Sequence, residues 1–286
     1  HNGRRRQRQM CIRDRLNPEE FKKVLDEDKQ KEIKAVILTH SETSTGVIND
    51  LETISSYIRA HNTALSIVDC VTSLGACNVP VDEWKLDIVA SGSQKGYMIP
   101  PGLSFIAMSQ KAWEAAEKSN LPKFYLNLKS YKKSLLSNSN PYTPAVNLVF
   151  ALDEALKMMR EEGLDNIFLR HNKHKLAMSN AVKALNLKLF ADEKYLSPSI
   201  TAIKTEEIDA EEFRKTIKNN FDILLAGGQD HLKGKIFRVG HLGYVNDRDI
   251  ISVVSAISNT LLSLGKITAQ QAGEALVMVS KYLEEN

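Results

Sequence analysis

From Asn17 onward, short apolar runs alternate with longer stretches in which apolar residues recur every three or four positions. Ala35-Val36-Ile37-Leu38 is a continuous run, too short for a helix, and reads as a strand buried on both faces. Leu65-Ser66-Ile67-Val68, ending at Asp69, and Asp87-Ile88-Val89-Ala90 read as two more buried strands. Leu103-Ser104-Phe105-Ile106-Ala107 reads as a fourth, antiparallel or at an edge. Phe21, Val24 and Leu25 form the apolar face of a helix that opens on Asn17-Pro18-Glu19-Glu20, a cap residue, a first-turn proline and two acids at the positive end of the dipole. Leu51, Ile54 and Ile58 give a second helix over about residues 50–60, and His40 to Gly46 reads as a polar loop. Strands alternating with helices at this spacing predict an α/β fold with a mostly parallel sheet and helices on both faces.

The second half has a different rhythm. Residues 121–140 hold aromatics, lysines and a Ser-Asn-Ser-Asn run, and read as a long surface segment. Helices are predicted over about 145–162, closed by Gly163, and 166–185. Short strands follow at 187–190, 200–203, 223–225 and 236–239, with a helix opening on Asp209…Glu212 between them. Two helices finish the chain, about 247–264 and 268–283, the last opening on Thr268…Gln271. The expected organisation is a tract 1–16 set apart, a larger domain 17–163, and a smaller C-terminal α/β domain 164–286.

Composition narrows the classes. A chain of 286 residues, 43% hydrophobic and 26% charged, is that of an ordinary globular protein. No stretch approaches the roughly 18 apolar residues that cross a bilayer. Residues 4–15 carry six arginines and one aspartate, +5 against +3 for the whole chain, so the rest carries −2. The basic character therefore belongs to one short tract of a kind that translated foreign sequence produces, and no nucleic-acid or membrane partner is expected for the body. Cys11, Cys70 and Cys77 lie in no metal-ligand spacing, so no metal is expected, and their sparse, odd number suits a reducing, cytoplasmic compartment.

In parallel α/β sheets, ligands gather beyond the carboxyl ends of the strands. Ser44, Asp69 and Lys95 fall there. Lys95 stands in Ser91-Gly92-Ser93-Gln94-Lys95-Gly96-Tyr97, followed by Pro100-Pro101-Gly102. Small residues let a backbone approach a ligand closely, and a partly desolvated lysine there becomes nucleophilic. Asp69 could hold a metal, act as a base or face a cation. Ser44 and Thr45 could cap the following helix, Thr143 could cap the one after it, and Arg238 could be a surface ion-pair residue.

Read together, these stretches resemble a family. Thr39-His40-Ser41-Glu42-Thr43-Ser44-Thr45-Gly46, Val68-Asp69-Cys70-Val71-Thr72-Ser73-Leu74-Gly75, Ser91-Gly92-Ser93-Gln94-Lys95 and Pro100-Pro101-Gly102 are similar to successive motifs of class V enzymes that depend on pyridoxal 5'-phosphate (PLP), in the alanine–glyoxylate and serine–pyruvate aminotransferase group. Pro141-Tyr142-Thr143-Pro144 and Phe237-Arg238-Val239-Gly240 continue the match.

The resemblance implies the type I fold of PLP enzymes and a homodimer exchanging an amino group between alanine or serine and glyoxylate or pyruvate. It implies that Lys95 bonds the cofactor and later moves the substrate proton, that Asp69 faces the ring nitrogen, and that Val71 packs on the ring. Ser44 would reach the phenolic oxygen, Gln94 the phosphate, Thr143 the phosphate of the neighbouring subunit, and Arg238 the substrate carboxylate. Asn140 stands where relatives place an aromatic hydroxyl. His40 reads as a loop residue supporting Ser44. Relatives carry about a hundred further N-terminal residues with a glycine-rich phosphate cup, so the chain reads as a fragment that alone holds PLP poorly. Two alternatives remain: a lyase or cysteine desulfurase, which needs a late cysteine that this chain lacks, and a non-catalytic partner subunit of the same fold.

Overall fold

The computed structural model describes residues 15–284. In chain order it holds α1 (Pro18–Glu27), β1 (Ala35–Thr39), β2 (Ser41–Glu42), β3 (Val47–Ile48), α2 (Leu51–His61), β4 (Leu65–Asp69), β5 (Ile88–Gly92), β6 (Ser104–Met108), α3 (Gln110–Glu117), α4 (Leu128–Leu135) and α5 (Val146–Glu162). Then follow α6 (Leu164–Ala184), β7 (Lys188–Leu189), β8 (Ile200–Lys204), α7 (Ala210–Phe221), β9 (Ala226–Gly227), β10 (Ile236–Gly240), α8 (Asp247–Ser263) and α9 (Ala269–Glu284).

One sheet runs β1-β4-β5-β6, with β1, β4 and β5 parallel and β6 antiparallel at the edge. The α/β class and the mixed, mostly parallel sheet are as expected. Leu38, Val68 and Val89 line up across the sheet and pack, buried, with Leu25 of α1 and Leu51, Ile54 and Ile58 of α2. The other face departs from the expectation. Ile37 of β1 is 77% exposed and Ile106 of β6 is 48% exposed. An all-apolar run marks a strand fit for burial on both sides; it does not say what covers either side.

The second sheet runs β7-β8-β10-β9, antiparallel throughout. Its core joins Ile203 and Phe237 to Met178 of α6, Phe213 and Ile217 of α7, Ile257 of α8 and Val279 of α9. The capping signals locate the helices here: Asp209 accepts from Glu211 N and Glu212 N, and Thr268 and Gln271 bond reciprocally. Gly163, at φ +84°, separates α5 from α6.

Three local differences have physical causes. The strand predicted at 223–225 lies instead at Ala226–Gly227. Leu225 is buried while Leu224 is exposed, so the alternation marks extended chain, but the ladder starts only where β10 pairs with Ala226 and Gly227. Residues 121–140 contain α4, capped by Asn127 and burying none of its residues, so an apolar-face argument could not find it. The loop 40–46 contains half of the β2–β3 hairpin, whose two-residue strands are too short for any periodicity.

That hairpin joins the two halves. Val47 bridges Leu196, Ser197 N donates to Gly46 O at 2.9 Å, and the buried hydroxyls of Ser41, Ser197 and Ser199 link at 2.7–3.3 Å. The tract 1–16 lies largely outside the described residues; Arg15 pairs with Asp50 at 2.7 Å, and Leu16 N donates to Asn49 Oδ1. No helix among the described residues is long and apolar enough to cross a membrane.

Candidate active site

The parallel register sets Thr39 and Asp69, the last residues of β1 and β4, side by side with Ala90 in the middle of β5. Asp69 is fixed there by three bonds. Its Oδ1 accepts from Val71 N at 2.9 Å, its carbonyl accepts from His40 N at 2.9 Å, and the next residue, Cys70, donates to Ala90 O at 2.9 Å. Lys95 sits half-buried in the turn that β5 runs into, closed by Met98 N donating to Lys95 O at 2.9 Å. Ser93 Oγ braces this turn, donating to Pro100 O at 2.8 Å and accepting from Leu103 N at 3.2 Å.

The two loops touch through glycines. A Cβ on Gly96 would overlap Leu74 O and lie 3.0 Å from Gly75 Cα. A Cβ on Gly75 would lie 2.9 Å from Gly96 Cα, and Gly75 has φ +81°. The loop following Asp69 and the turn carrying Lys95 therefore meet backbone to backbone, an approach closed to any other residue type.

The C-terminal sheet supplies a cation at the same end. Arg238, in the middle of β10, is only 8% exposed. Its Nε donates to Gly227 O at 2.8 Å and its Nη1 to Thr43 O at 2.7 Å, beside Ser44. It makes no ion pair among the described residues, and burial lowers its pKa while nearby Glu42 opposes this. A buried guanidinium held only by carbonyls is stabilised by an anion that can take its remaining donors. Arg238 is thus not the surface ion-pair residue that the sequence left open.

Other expected residues lie at varying remove. Val71 and Ser44 are half-buried, and Ser44 N donates to Glu42 Oε1 at 2.8 Å. Gln94 is exposed, with its Oε1 folded back over Gly92. Asp50, not Ser44 or Thr45, caps α2. Thr143 is exposed, and α5 begins at Val146 with Ala145 at its N-cap and no side-chain cap bond, so Thr143 does not cap it. His40 does not bond Ser44. It is buried with its ring edge toward Trp84, its Nδ1 has no partner, and burial pushes its pKa down to about 4.

Cys70 and Cys77 are free, and burial pushes their pKa values up to about 11 and 12, which leaves them as thiols rather than nucleophiles. Cys11 lies outside the described residues. No group of three His, Cys, Asp or Glu suited to a metal occurs among the described residues. A groove of about 720 Å³ is lined by Phe190, Lys204, Asp209 and Lys235, and by none of the residues expected at the site. The contacts made by Gly75, Gly96 and Gly243 escaped the sequence reading; glycines directly after a strand or beside a chemically reactive residue were their only signal.

Comparison with known proteins agrees with this fold. The sequence model of the aminotransferase class-V family matches residues 11–245. A relative from Synechococcus sp., named soluble hydrogenase, small subunit, is 59% identical over 250 residues, covering 87% of this chain and 65% of its own length. The serine–glyoxylate aminotransferase of Methylorubrum extorquens is 37% identical over 278 residues, covering 94% of this chain and 68% of its own. Among solved structures, the ureidoglycine–glyoxylate aminotransferase of Bacillus subtilis superposes with a TM-score of 0.84 at 32% identity, covering 93% of this chain and 69% of that one. The chain thus spans about two thirds of the length of the curated relatives it matches.

Proposed function

Because this chain belongs to the class-V aminotransferases, we propose that it supplies the lysine, the carboxylate and the substrate arginine of a PLP-dependent enzyme. That enzyme moves an amino group between a small amino acid, alanine or serine, and a 2-oxo acid, glyoxylate or pyruvate. One observation carries the reading. A buried arginine that forms no ion pair among the described residues reaches the loop after β1, at the end of the sheet where a lysine and an aspartate have loops that touch.

The residues suit PLP chemically. Lys95 offers an amine to an aldehyde. Asp69 offers a carboxylate to a ring nitrogen, with one oxygen already pinned by Val71 N. Ser44 and Gln94 offer donors to a phenolic oxygen and a phosphate, and Val71 an apolar wall. When bound, the cofactor supplies an electron sink for the bonding pair left at the substrate α-carbon. Asp69 holds a proton on the facing nitrogen, Arg238 orients the substrate carboxylate, and Lys95 carries the proton from the α-carbon. Thr143, exposed and without a hydrogen bond among the described residues, is left for the phosphate of a second copy, in a homodimer. The free thiols support a cytoplasmic setting.

The test is a spectroscopic titration with PLP of the chain extended to the full length of its relatives, followed by amino-donor assays with glyoxylate and pyruvate. Lys95→Ala should lower turnover by at least about 10³-fold and remove the lysine-dependent absorbance band. Turnover undiminished in that variant would end the proposal. Arg238→Met should lower kcat/KM by about 30- to 10³-fold, roughly 2–4 kcal/mol, mostly through KM. Arg238→Lys should recover little, since a lysine cannot reproduce the fork.

The relative named as a hydrogenase subunit favours a second reading, a partner subunit. Stable association with a hydrogenase by a protein inert toward every amino donor would favour it over transamination.

A further inference from the structure

Arg238 and Lys95 come from different sheets, so something must fix their spacing. β10 carries Arg238 and ends at Gly240. The chain then turns back, and Gly243, at φ +86°, lies against the Lys95 turn. A Cβ there would sit 3.3 Å from both Lys95 O and Met98 Cγ. Two consecutive residues of α6 hold that glycine. Its N–H donates to His171 Nε2 at 3.1 Å, and its carbonyl accepts from Arg170 Nη1 at 2.9 Å. The same Arg170 nitrogen donates to Val245 O at 2.9 Å.

Both holders are themselves fixed. Arg170 forks onto Glu162, at the end of α5, with bonds of 2.6 and 3.0 Å. His171 Nδ1 lies 2.7 Å from Ile167 O. A carbonyl can only accept, so Nδ1 carries the proton and Nε2 is left bare for the Gly243 amide. The ring is fully buried, and that burial keeps it neutral at ordinary pH. Protonation would remove the lone pair that receives Gly243.

From this arrangement we infer that Arg170 and His171 are positioning residues that clamp the 241–245 loop onto the Lys95 turn and so set where Arg238 stands relative to Lys95. The inference rests on the reading that these two side chains serve one substrate. A buried histidine that merely filled space would have no reason to direct its one acceptor at the glycine touching Lys95.

The test compares His171→Leu, His171→Gln and Arg170→Met with the wild-type protein by amide hydrogen exchange and by steady-state kinetics. His171→Leu should raise exchange in 241–246 and 93–99 by about 10-fold, the scale of one lost hydrogen bond, with α8 and α9 unchanged. It should lower kcat/KM by about 10- to 100-fold, as a small misplacement of reacting groups does. His171→Gln, whose amide oxygen can accept from Gly243, should recover most of both, and Arg170→Met should resemble His171→Leu. Exchange rising evenly through the small domain, or unchanged in the two loops, would overturn the clamp. So would kinetics indifferent to His171→Leu in an active enzyme. Local exchange as expected in a protein with no transaminase activity would support the clamp and count against the proposed reaction instead.

Discussion

Gly96→Ala should cost about 3 kcal/mol of stability or more and weaken PLP binding by at least about 100-fold. The added carbon overlaps Leu74 O and presses on Gly75 Cα, so it meets backbone on both sides and no side chain that could swing away. Ordinary overpacking costs about 1–3 kcal/mol; with only backbone to yield, the upper end applies. Relief requires the loop after Asp69 or the turn of Lys95 to move, and either movement separates the carboxylate from the amine. Gly273→Ala in α9 is the matched control. Nothing lies within 4 Å of its Cβ, and the change should stabilise by about 0.5–1 kcal/mol. Urea unfolding of both variants, and PLP titration of both in the chain extended to the full length of its relatives, would decide. A Gly96→Ala protein as stable as the wild type, with unaltered affinity, would show that the two loops are not in contact.

Stability should begin to fall below about pH 6.5, above the range in which carboxylates titrate. Burial pushes the pKa of His40 and His171 down to about 4 and that of His241 to about 3, against 6.5 for an exposed imidazole. Between pH 6.5 and the folded values the unfolded chain binds more protons than the native one, so stability falls as pH falls. At about 1.4 kcal/mol per pH unit, His40 and His171 each remove roughly 3 kcal/mol by pH 4, and His241 adds to this in the same direction. The combined loss is comparable to the roughly 5–15 kcal/mol that holds a typical domain folded. Urea midpoints at pH 7, 5.5 and 4.5 should therefore decline steadily, and His171→Gln should flatten the decline. Midpoints that do not change across this range would refute the account.

The placement of Asp69 and Lys95 at and beyond the strand ends was legible because it is local. Short, mostly apolar runs stop at Asp69 and shortly before Lys95, and a strand's end is where a parallel sheet exposes its ligand-facing residues. The helix caps at Asp209 and Thr268 were legible for the same reason. What escaped was anything decided by distant partners. The side chain of Arg238 is held by carbonyls of Gly227 and Thr43, which no periodicity links. The close approach of Gly75 and Gly96 looks in sequence like two unremarkable loop glycines. The exposure of Ile37 could not be anticipated, since an isoleucine in a strand carries the same signal whether or not its face is covered.

The bond from Arg238 to the carbonyl of Thr43 spans 195 residues of chain. A ribosome adding about 5–20 residues per second needs roughly 10–40 s to deliver the second partner after the first. Throughout that interval the nascent loop after β1 waits without the strand it will hold, however early the parallel strands have paired. The proposed seat for a substrate carboxylate is therefore completed only once β10 has been made, and a stall between the two halves leaves a lysine and an aspartate with no arginine opposite them.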